Sequence, residues 1–467
     1  MLTKKKIHLL KYAGVAVIAL FSLCYTQMEV SISGLEAARF AVIQAWGEQG
    51  VFHITHTQFK TVDKIIRDGK IYSDKPLPLS WTIGNIHKAV HTLTGLDFKN
   101  NYHLLIYTYN LLAGGLVNIL IFLWLFSHLR RYRRGRPETK FILALSAALG
   151  TWLLSYSVIV NNHTPAALAF LGWFIVLEKF YRRPGYSAAV VSGLAAGVVA
   201  LMDLPTGFFT CLINLFALFF AGKKQLRYVG AGAAASVAAA VFWIGLNYYA
   251  YGTILPLYIA RGEGTYAPGT DMKNHLGYFF ETLFGYRGLF SYQPFLLFVF
   301  PAIWFLRKRL TAADIGALAA SLVCIIFYQV MTNEYGGAAY GFRYVIPVIP
   351  VLWYFAAIWI MEQKNKALVF CAVFCIFWGV IASLAGAYAP FGLAFEGHRS
   401  PPGHVTRTIR SSFTGNLLSW SYENAPDGFL TSLLRRHYGM AVSRRYLLSS
   451  YLMLKKIEPL ARIAGEK

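Results

Sequence analysis

Charged side chains, and acidic ones above all, are scarce in this sequence. Of its 467 residues only 14% are charged, whereas 56% are hydrophobic and 16% are aromatic. Such a composition excludes an ordinary soluble domain and predicts that the chain folds in a lipid bilayer. The 21 acidic residues stand against 44 Lys and Arg, which gives a net charge of +23. In a membrane protein this excess is interpreted loop by loop, because basic residues mark the cytoplasmic side.

Several signals of soluble chemistry are also missing. The five cysteines all fall inside apolar runs, where they behave as small hydrophobes and not as a disulfide framework or a metal-binding set. The sequence has no Walker-type phosphate loop, no dinucleotide-binding fingerprint and no G-x-S-x-G elbow. These absences argue against ATP hydrolysis and against a nucleotide-sugar site in a cytosolic domain.

Long apolar runs dominate the chain, and eleven of them have about the length that a helix needs to cross the hydrocarbon. The turns near 162 and 204 are short, so a re-entrant hairpin would give a similar pattern there. The first run follows a basic N-terminus without a small-residue cleavage pattern, which predicts a retained span. The runs lie near 12–28, 103–127, 141–160, 164–179, 187–203, 205–221, 228–250, 289–306, 311–331, 343–361 and 367–386.

The segments between these runs alternate in charge. With the N-terminus in the cytoplasm, six short inside segments carry 21 Lys and Arg, as the positive-inside rule predicts. The outside segments are a long loop near 29–102, the NNHTP turn, a loop near 251–288, NEYGGAAYGFR and the tail after 386, which departs from the rule because it holds eleven Lys and Arg. Long segments translocate regardless of charge. We therefore predict a multi-pass protein of the cell inner (plasma) membrane whose tail is periplasmic.

The chain is thus predicted to be an all-α polytopic membrane protein with about eleven transmembrane helices in residues 1–386. Its first outer loop, residues 29–102, carries three helical patterns that we expect at the membrane surface. They are SGLEAARFAVIQAWGEQG, FKTVDKIIRDG and LSWTIGNIHKAVHTL. The tail, residues 387–467, is predicted to form basic interfacial helices on the outer side.

Two places in the first outer loop could carry chemistry. Glu36 follows the first span closely, either as an exposed acid paired with Arg39 or as a general base at the membrane surface. The stretch IRDGKIYSDKPLPLSW places Asp74 and Lys75 before two prolines. A stiff turn that holds an ammonium at headgroup level suits a phosphate, although a proline-rich loop with snorkelling lysines has the same composition.

Further polar residues lie at the outer ends of predicted spans. Arg287, and Arg343 with Tyr340, would form with Lys75 a cationic group suited to an anionic lipid headgroup, or each arginine anchors its own helix. The residues His163 and Asp203 line an outward cavity or cap helices.

A pair of histidines has a weakly metal-like spacing. His53 and His56, in the stretch HITH, have no obvious further ligands in the sequence. They therefore indicate a metal only weakly.

Taken together, four stretches resemble a known family. The EAARF context of Glu36, the outer loop closing on IYSDKPLPLSW, and the later YRGLFSYQPFL and GGAAYGFRYVIPVIP are similar to the polyprenyl-phosphate-sugar glycosyltransferases of the GT-C superfamily. That group includes protein O-mannosyltransferases and the aminoarabinose transferases that modify lipid A. The resemblance covers roughly residues 30 to 360.

The resemblance implies a sugar donor on a polyprenyl monophosphate, a site at the outer face, and inversion at the anomeric carbon. Glu36 falls where these families carry a catalytic acid, usually an aspartate in a DE pair, and here Ala37 stands beside it. Such a pair could hold a divalent metal, the one cofactor that the resemblance suggests. Lys75 falls on the lysine of a KPPL-type motif that contacts the lipid phosphate, although this sequence has KPLPL.

The acceptor implied by the resemblance is a lipid, a polysaccharide or a protein, and nucleic acid has no place in it. Two other functions fit the same residues. A transporter or flippase of a lipid-linked glycan would use the cationic group without a base, and a non-catalytic scaffold would bind partners through its outer loop and tail.

Overall fold

The computed structural model describes residues 2–30, 34–221, 225–257, 275–332, 339–391, 412–424, 428–429 and 432–433. About three quarters of these residues are helical (77%), and 3% lie in β-strands. The elements of the first half are α1 (Leu2–Tyr25), α2 (Gly34–Gln44) with a π-helical turn (Ala45–Gln49), β1 (Lys64–Arg67), β2 (Lys70–Ser73), α3 (Leu77–Thr94), α4 (Phe98–Asn110), a second π-helical turn (Leu111–Gly115), α5 (Leu116–Leu129), α6 (Pro137–Leu149), α7 (Trp152–Tyr156) and α8 (His163–Arg182).

The second half continues the bundle with helices of very different length. They are α9 (Tyr186–Met202), α10 (Leu204–Ala221), α11 (Leu226–Tyr251), α12 (His275–Leu283), α13 (Leu289–Tyr292), a 3-10 helix (Pro294–Phe298), α14 (Val299–Leu306), α15 (Ala312–Met331), a second 3-10 helix (Arg343–Val348), α16 (Ile349–Glu362), α17 (Lys366–Tyr388) and α18 (Ser412–Asn424).

Every predicted span contains helix, but the helices differ in length. Within the described residues, seven helical stretches are long and apolar enough to cross a membrane: 5–25, 98–129, 163–182, 226–251, 312–331, 343–362 and 366–388. Three more apolar helices are shorter, at 186–202, 204–220 and 294–306. The run predicted at 141–160 is divided, because α6 ends at Leu149 and α7 begins at Trp152. The chain is a multi-pass, all-α membrane protein.

The short basic segments predicted on one side of the membrane do meet at one end of the bundle. Glu362 at the end of α16 pairs with Arg309 (2.7 Å) and Arg134 (3.6 Å) from two other basic segments. Lys6 of α1 pairs with Glu138 of α6. These contacts join four separate segments, and we call this part of the molecule the basic end.

Helix α2 differs from the expected surface helix because all eleven of its residues are buried. Its apolar side chains, among them Phe40 and Ile43, belong to a second core beneath the outer loop, with Leu77 and Phe98. The helix packs against α3 and β2, which cover the face that the sequence pattern assigns to water.

The prediction of a second helix in the outer loop, in FKTVDKIIRDG, is wrong, because this stretch begins a β-hairpin. β1 and β2 pair antiparallel, with Ile65 opposite Tyr72. The turn consists of Asp68 and Gly69, with φ of 51° and 71°. Positive φ at both turn residues is the geometry of a tight hairpin, and Asp-Gly is a preferred sequence for it. The third predicted helix is confirmed as α3.

A buried polar chain fixes the outer loop on the membrane helices. The His87 ring of α3 lies between Glu48 (Nε2 to Oε1, 3.1 Å) and Tyr109 of α4 (Nδ1 to Oη, 2.8 Å). Glu48 also accepts from the Phe98 backbone N–H at 2.7 Å, and its pKa is lowered although burial opposes this. These hydrogen bonds hold the end of α2, α3 and α4 in fixed positions relative to one another.

Only part of the C-terminal tail lies within the described residues. α18 packs on α17, where the Asn416 side chain donates to the Ala385 carbonyl at 2.7 Å. The basic helices predicted after residue 433 lie outside the described residues, as do residues 258–274 and 333–338.

The sidedness of the basic end and the outer loop gives the first prediction. In a variant with all five cysteines replaced by alanine, we expect Lys70→Cys in the hairpin to react with a membrane-impermeant maleimide added outside intact cells. Arg133→Cys at the basic end should react only after the membrane is permeabilised. Labelling of both positions from the same side would contradict the predicted topology.

Candidate functional site

Arg39 on α2 lies at the centre of a polar cluster at the end of the bundle away from the basic end. Its guanidinium is 1% exposed. One amino group donates to the Asn162 side chain at 2.8 Å and the other to the Pro76 carbonyl at 3.5 Å, while Nε has no hydrogen-bond partner among the described residues. Burial, together with the charge of Arg343, lowers the pKa of Arg39 to about 10, although Asp74 and Asp63 act in the opposite direction. This cation joins the outer loop to the start of α8.

Glu36 lies three residues before Arg39 on the same helix and is completely buried. The alternative of an exposed juxtamembrane acid is therefore wrong. Asn110, at the end of α4, lies with its side-chain nitrogen 3.5 Å from a Glu36 oxygen and donates to the Gln27 carbonyl at 3.0 Å. Its own oxygen accepts from the Val160 backbone N–H at 2.6 Å. Asn110 thus orients the carboxylate between α1 and the segment before α8.

A close backbone contact brings α4 to that segment. A Cβ atom at Gly114, in the π-helical turn, would lie 2.0 Å from the Ser157 carbonyl oxygen. Only glycine allows this approach. The contact lies within the π-helical turn that follows Asn110 in the long helix 98–129.

The stretch that holds Asp74 and Lys75 forms an ion-paired cluster. Lys75 Nζ lies 2.9 Å from Asp63 and 3.2 Å from Asp74, and each of the three side chains is 20–24% exposed. Burial raises the pKa of Asp74, with the charge of Lys75 acting against this. The lysine is therefore held and largely neutralised by two carboxylates, instead of snorkelling towards headgroups.

His163 and Asp203, which the sequence places at two separate span ends, lie side by side in the structure. His163 Nδ1 lies 2.9 Å from Asp203 Oδ2, and both side chains are buried. Asp203 Oδ1 accepts from the Tyr328 hydroxyl at 2.8 Å and from the Thr206 N–H at 3.1 Å, so Asp203 also caps α10. His163 follows Asn162, which places this pair next to Arg39.

Arg343 and Arg287 are both buried, at 9% and 7% exposure. The guanidinium of Arg343 lies over the rings of Tyr344 (5.5 Å) and Phe391 (5.1 Å). The Tyr344 ring in turn lies 5.9 Å from that of His163. Arg343 therefore lies near the cluster of Arg39 and His163, and its charge acts on Arg39.

Tyr340 lies among these residues in a packed position. Its hydroxyl donates to the Ala382 carbonyl of α17 at 2.6 Å, and its ring stacks on Tyr292 at 5.1 Å. The Tyr156 hydroxyl donates to the Tyr340 carbonyl at 3.0 Å. Both hydrogen-bonding groups of Tyr340 are thus used within the protein. A role in substrate binding stays a prediction for this residue.

The described residues contain no group of three or more His, Cys, Asp or Glu that could hold a metal ion. His53 and His56 have ring centroids 6.2 Å apart, and burial together with Lys70 lowers the pKa of His53. A pair of histidines without a third ligand does not make a structural metal site.

Comparison with solved structures shows the fold. The crystal structure of ArnT from Cupriavidus metallidurans in the apo state matches with a TM-score of 0.52 at 14% identity, over 89% of this chain and 79% of that one. The structure of the same protein bound to undecaprenyl phosphate matches with a TM-score of 0.50 at 14% identity, over 91% and 73%. ArnT is a GT-C protein. This chain has the GT-C fold.

One further solved structure matches with a lower score, and two comparisons by sequence find no match. An Archaeoglobus fulgidus oligosaccharyltransferase in complex with Zn and sulfate gives a TM-score of 0.48 at 13% identity, over 89% of this chain and 56% of that one. No protein-family model matches the sequence, and no curated protein matches it. The expected GT-C-like architecture is confirmed at the level of the fold.

Sequence reasoning missed the residues that hold the cluster together. Arg39 was considered only as a partner for Glu36, and neither Asn110 nor Asn162 was singled out. A signal for Arg39 is present, since an arginine in an otherwise apolar helix needs partners if that helix is buried. For the two asparagines the sequence offers none, because their partners lie far away along the chain.

The pair of His163 and Asp203 gives a stability prediction. We expect Asp203→Ala to lower the free energy of unfolding by about 3 kcal/mol, because His163, Tyr328 and the start of α10 all lose a buried partner. Thermal unfolding of the detergent-solubilised protein measures this as a lowered Tm. Glu29→Ala, at an exposed acid outside any helix or strand, serves as the control, and equal Tm shifts for the two variants would contradict the assignment.

Proposed function

We propose that this protein is a glycosyltransferase that moves a sugar from a polyprenyl monophosphate to an acceptor at the outer face of the inner membrane. One observation carries the proposal. A buried carboxylate, Glu36, and a buried guanidinium, Arg39, lie one turn apart on α2, with a second guanidinium, Arg343, close enough to lower the pKa of the first. In support, one structure with this fold was solved bound to undecaprenyl phosphate.

The electrostatics favour an anionic ligand. Two buried arginines in electrostatic contact disfavour each other's charge, and burial disfavours both. The nearby carboxylates Asp63 and Asp74 are already bound by Lys75. A phosphate group would add negative charge beside these two cations, and guanidinium groups suit phosphate because of their fork of donors.

The proposed chemistry is a single displacement. The acceptor hydroxyl oxygen forms a bond to the anomeric carbon as the bond from that carbon to the phosphate oxygen breaks. The bonding electrons leave with the phosphate, and the hydroxyl proton moves to the Glu36 carboxylate. Attack from the face opposite the leaving group inverts the anomeric centre. A phosphate leaves without protonation, so one carboxylate is enough, whereas a glycosidase needs two.

Each remaining residue has a proposed part. Arg39 and Arg343 stabilise the charge that grows on the departing phosphate. Lys75 binds the phosphate by exchanging one of its two aspartates for it, with Asp74 staying as its partner. Arg287 extends the cationic group.

The pair at the start of α8 belongs to the acceptor side in this proposal. Asp203 holds His163 in one orientation, and His163 directly follows Asn162, the hydrogen-bond partner of Arg39. Acceptors of all three predicted kinds, lipid, polysaccharide and protein, carry the hydroxyl or amine that the reaction needs.

The first functional prediction concerns the base. In cells that lack the native gene, we expect wild type to lower the pool of one polyprenyl-phosphate sugar and Glu36→Gln to leave it accumulated, since the amide cannot accept the proton. Mass spectrometry of extracted lipids measures the pool. Glu29→Gln, an exposed acid near the same loop, should behave as wild type.

The outcomes of that experiment separate the alternatives. A Glu36→Gln variant that restores the wild-type pool would remove Glu36 as the base and favour a transporter, which needs none. A deletion that changes no polyprenyl-phosphate sugar would contradict the glycosyltransferase proposal itself.

The second functional prediction concerns the phosphate. We expect Arg39→Gln and Arg343→Gln each to weaken binding of undecaprenyl phosphate by about 10- to 100-fold, because each loses charge-assisted hydrogen bonds. Binding is measured on purified protein in detergent, with size-exclusion profiles as a check on folding. Lys70→Gln, on the exposed hairpin, is the control, and equal affinity in all three variants would contradict the proposed phosphate site.

A further inference from the structure

A cavity lies away from the candidate site, between α5, α8 and α9. Its volume is about 420 Å³, and nearly all of its lining is apolar, with small residues such as Gly172 and Ala195 leaving the space beside Trp124. Gly172 is essential to that shape, because a Cβ atom there would lie 2.7 Å from the Trp124 ring. Small side chains on α8 and α9 therefore leave the space of the cavity, and the large Trp124 side chain on α5 lies beside it.

The cavity begins at the basic end and extends towards the middle of the bundle. Arg131, just past the end of α5, lines one part, and Val191 and Val198 of α9 line the wall. Seven residues of helix span roughly 10 Å. The long axis thus follows the membrane helices, which is the direction of a lipid chain.

The end near Arg131 is polar. His128 lines the cavity at 2% exposure, and its Nδ1 has no hydrogen-bond partner in the part of the chain that the structure describes. Its Nε2 lies 3.4 Å from Glu178, which is bound by Arg182 at 2.8 Å. A buried polar nitrogen without a partner is costly, and a ligand at this place would satisfy it.

We propose that this cavity binds one acyl chain of an anionic phospholipid from the leaflet at the basic end, with the lipid phosphate at Arg131. A methylene group occupies about the same volume as a water molecule, about 30 Å³ in the liquid. The volume of the cavity therefore matches one fatty acyl chain of ordinary length. An undecaprenyl chain is several times too long for it. Exposed arginine at the mouth and apolar walls below it complement a phosphate with a fatty acyl tail. This site is independent of the proposed transferase site.

The test uses Trp124 as its reporter. The protein is placed in vesicles with phosphatidylglycerol or phosphatidylcholine whose acyl chains are brominated, because bromine quenches tryptophan at contact. The difference in fluorescence between wild type and Trp124→Phe isolates Trp124 from the other ten tryptophans. We expect brominated phosphatidylglycerol to quench the Trp124 fluorescence at least about twofold more than brominated phosphatidylcholine does.

Four matched variants test whether Arg131 and the cavity cause the expected quenching of Trp124. Arg131→Gln should remove the headgroup preference, and Arg133→Gln in the same basic segment should keep it. Ala195→Phe, which fills the cavity, should reduce the quenching of Trp124 by both lipids, and Ala240→Phe on the exposed face of α11 should not. Size-exclusion profiles confirm that each variant is folded.

Three results would overturn the proposal. They are equal quenching by the two lipids in wild type, a preference that survives Arg131→Gln, and relief of quenching by undecaprenyl phosphate at lower mole fraction than by unbrominated phosphatidylglycerol. The last would make the polyprenyl lipid the occupant. None of these results bears on Glu36 or the transfer reaction.

Discussion

The buried guanidinium of Arg39 is the interaction on which the outer half of the molecule depends. It reaches Asn162 at the start of α8 and the Pro76 carbonyl at the start of α3, and so connects a membrane helix with the outer layer. Removing a charge from water is costly, and here the cost is offset by only a few hydrogen bonds and nearby carboxylates. A cation retained under such conditions points to a role beyond holding the fold.

The sequence predicts the membrane part well because its signals are local. An apolar run of sufficient length forms a helix in lipid whatever surrounds it, and basic residues gather on one side for reasons independent of packing. The number of membrane-spanning helices is harder to predict. α6 ends at Leu149 and α7 begins at Trp152 within a single apolar run, and nothing in hydropathy marks that break because both pieces are buried by their neighbours.

The outer loop is where prediction from the sequence fails, and for a physical reason. The pattern in FKTVDKIIRDG suits a helix, but the Asp68–Gly69 turn and pairing of Ile65 with Tyr72 give a hairpin. α2 has the composition of a surface helix, and distant segments cover it. At the site, Glu36, His163 and Asp203 could each be singled out from the sequence, whereas the pairing of His163 with Asp203 and the roles of Asn110 and Asn162 depend on contacts that only the folded chain creates.

The span of those contacts also bears on how the protein is made. The Arg39–Asn162 hydrogen bond joins residues 123 positions apart, so α2 leaves the ribosome long before its partner exists. Until α8 has been synthesised, a helix carrying a glutamate and an arginine has no buried place to occupy and must stay at the membrane surface. Assembly of the outer half therefore waits on insertion of the middle of the chain, and an interrupted chain would present α2 to the quality-control machinery as an unfinished segment.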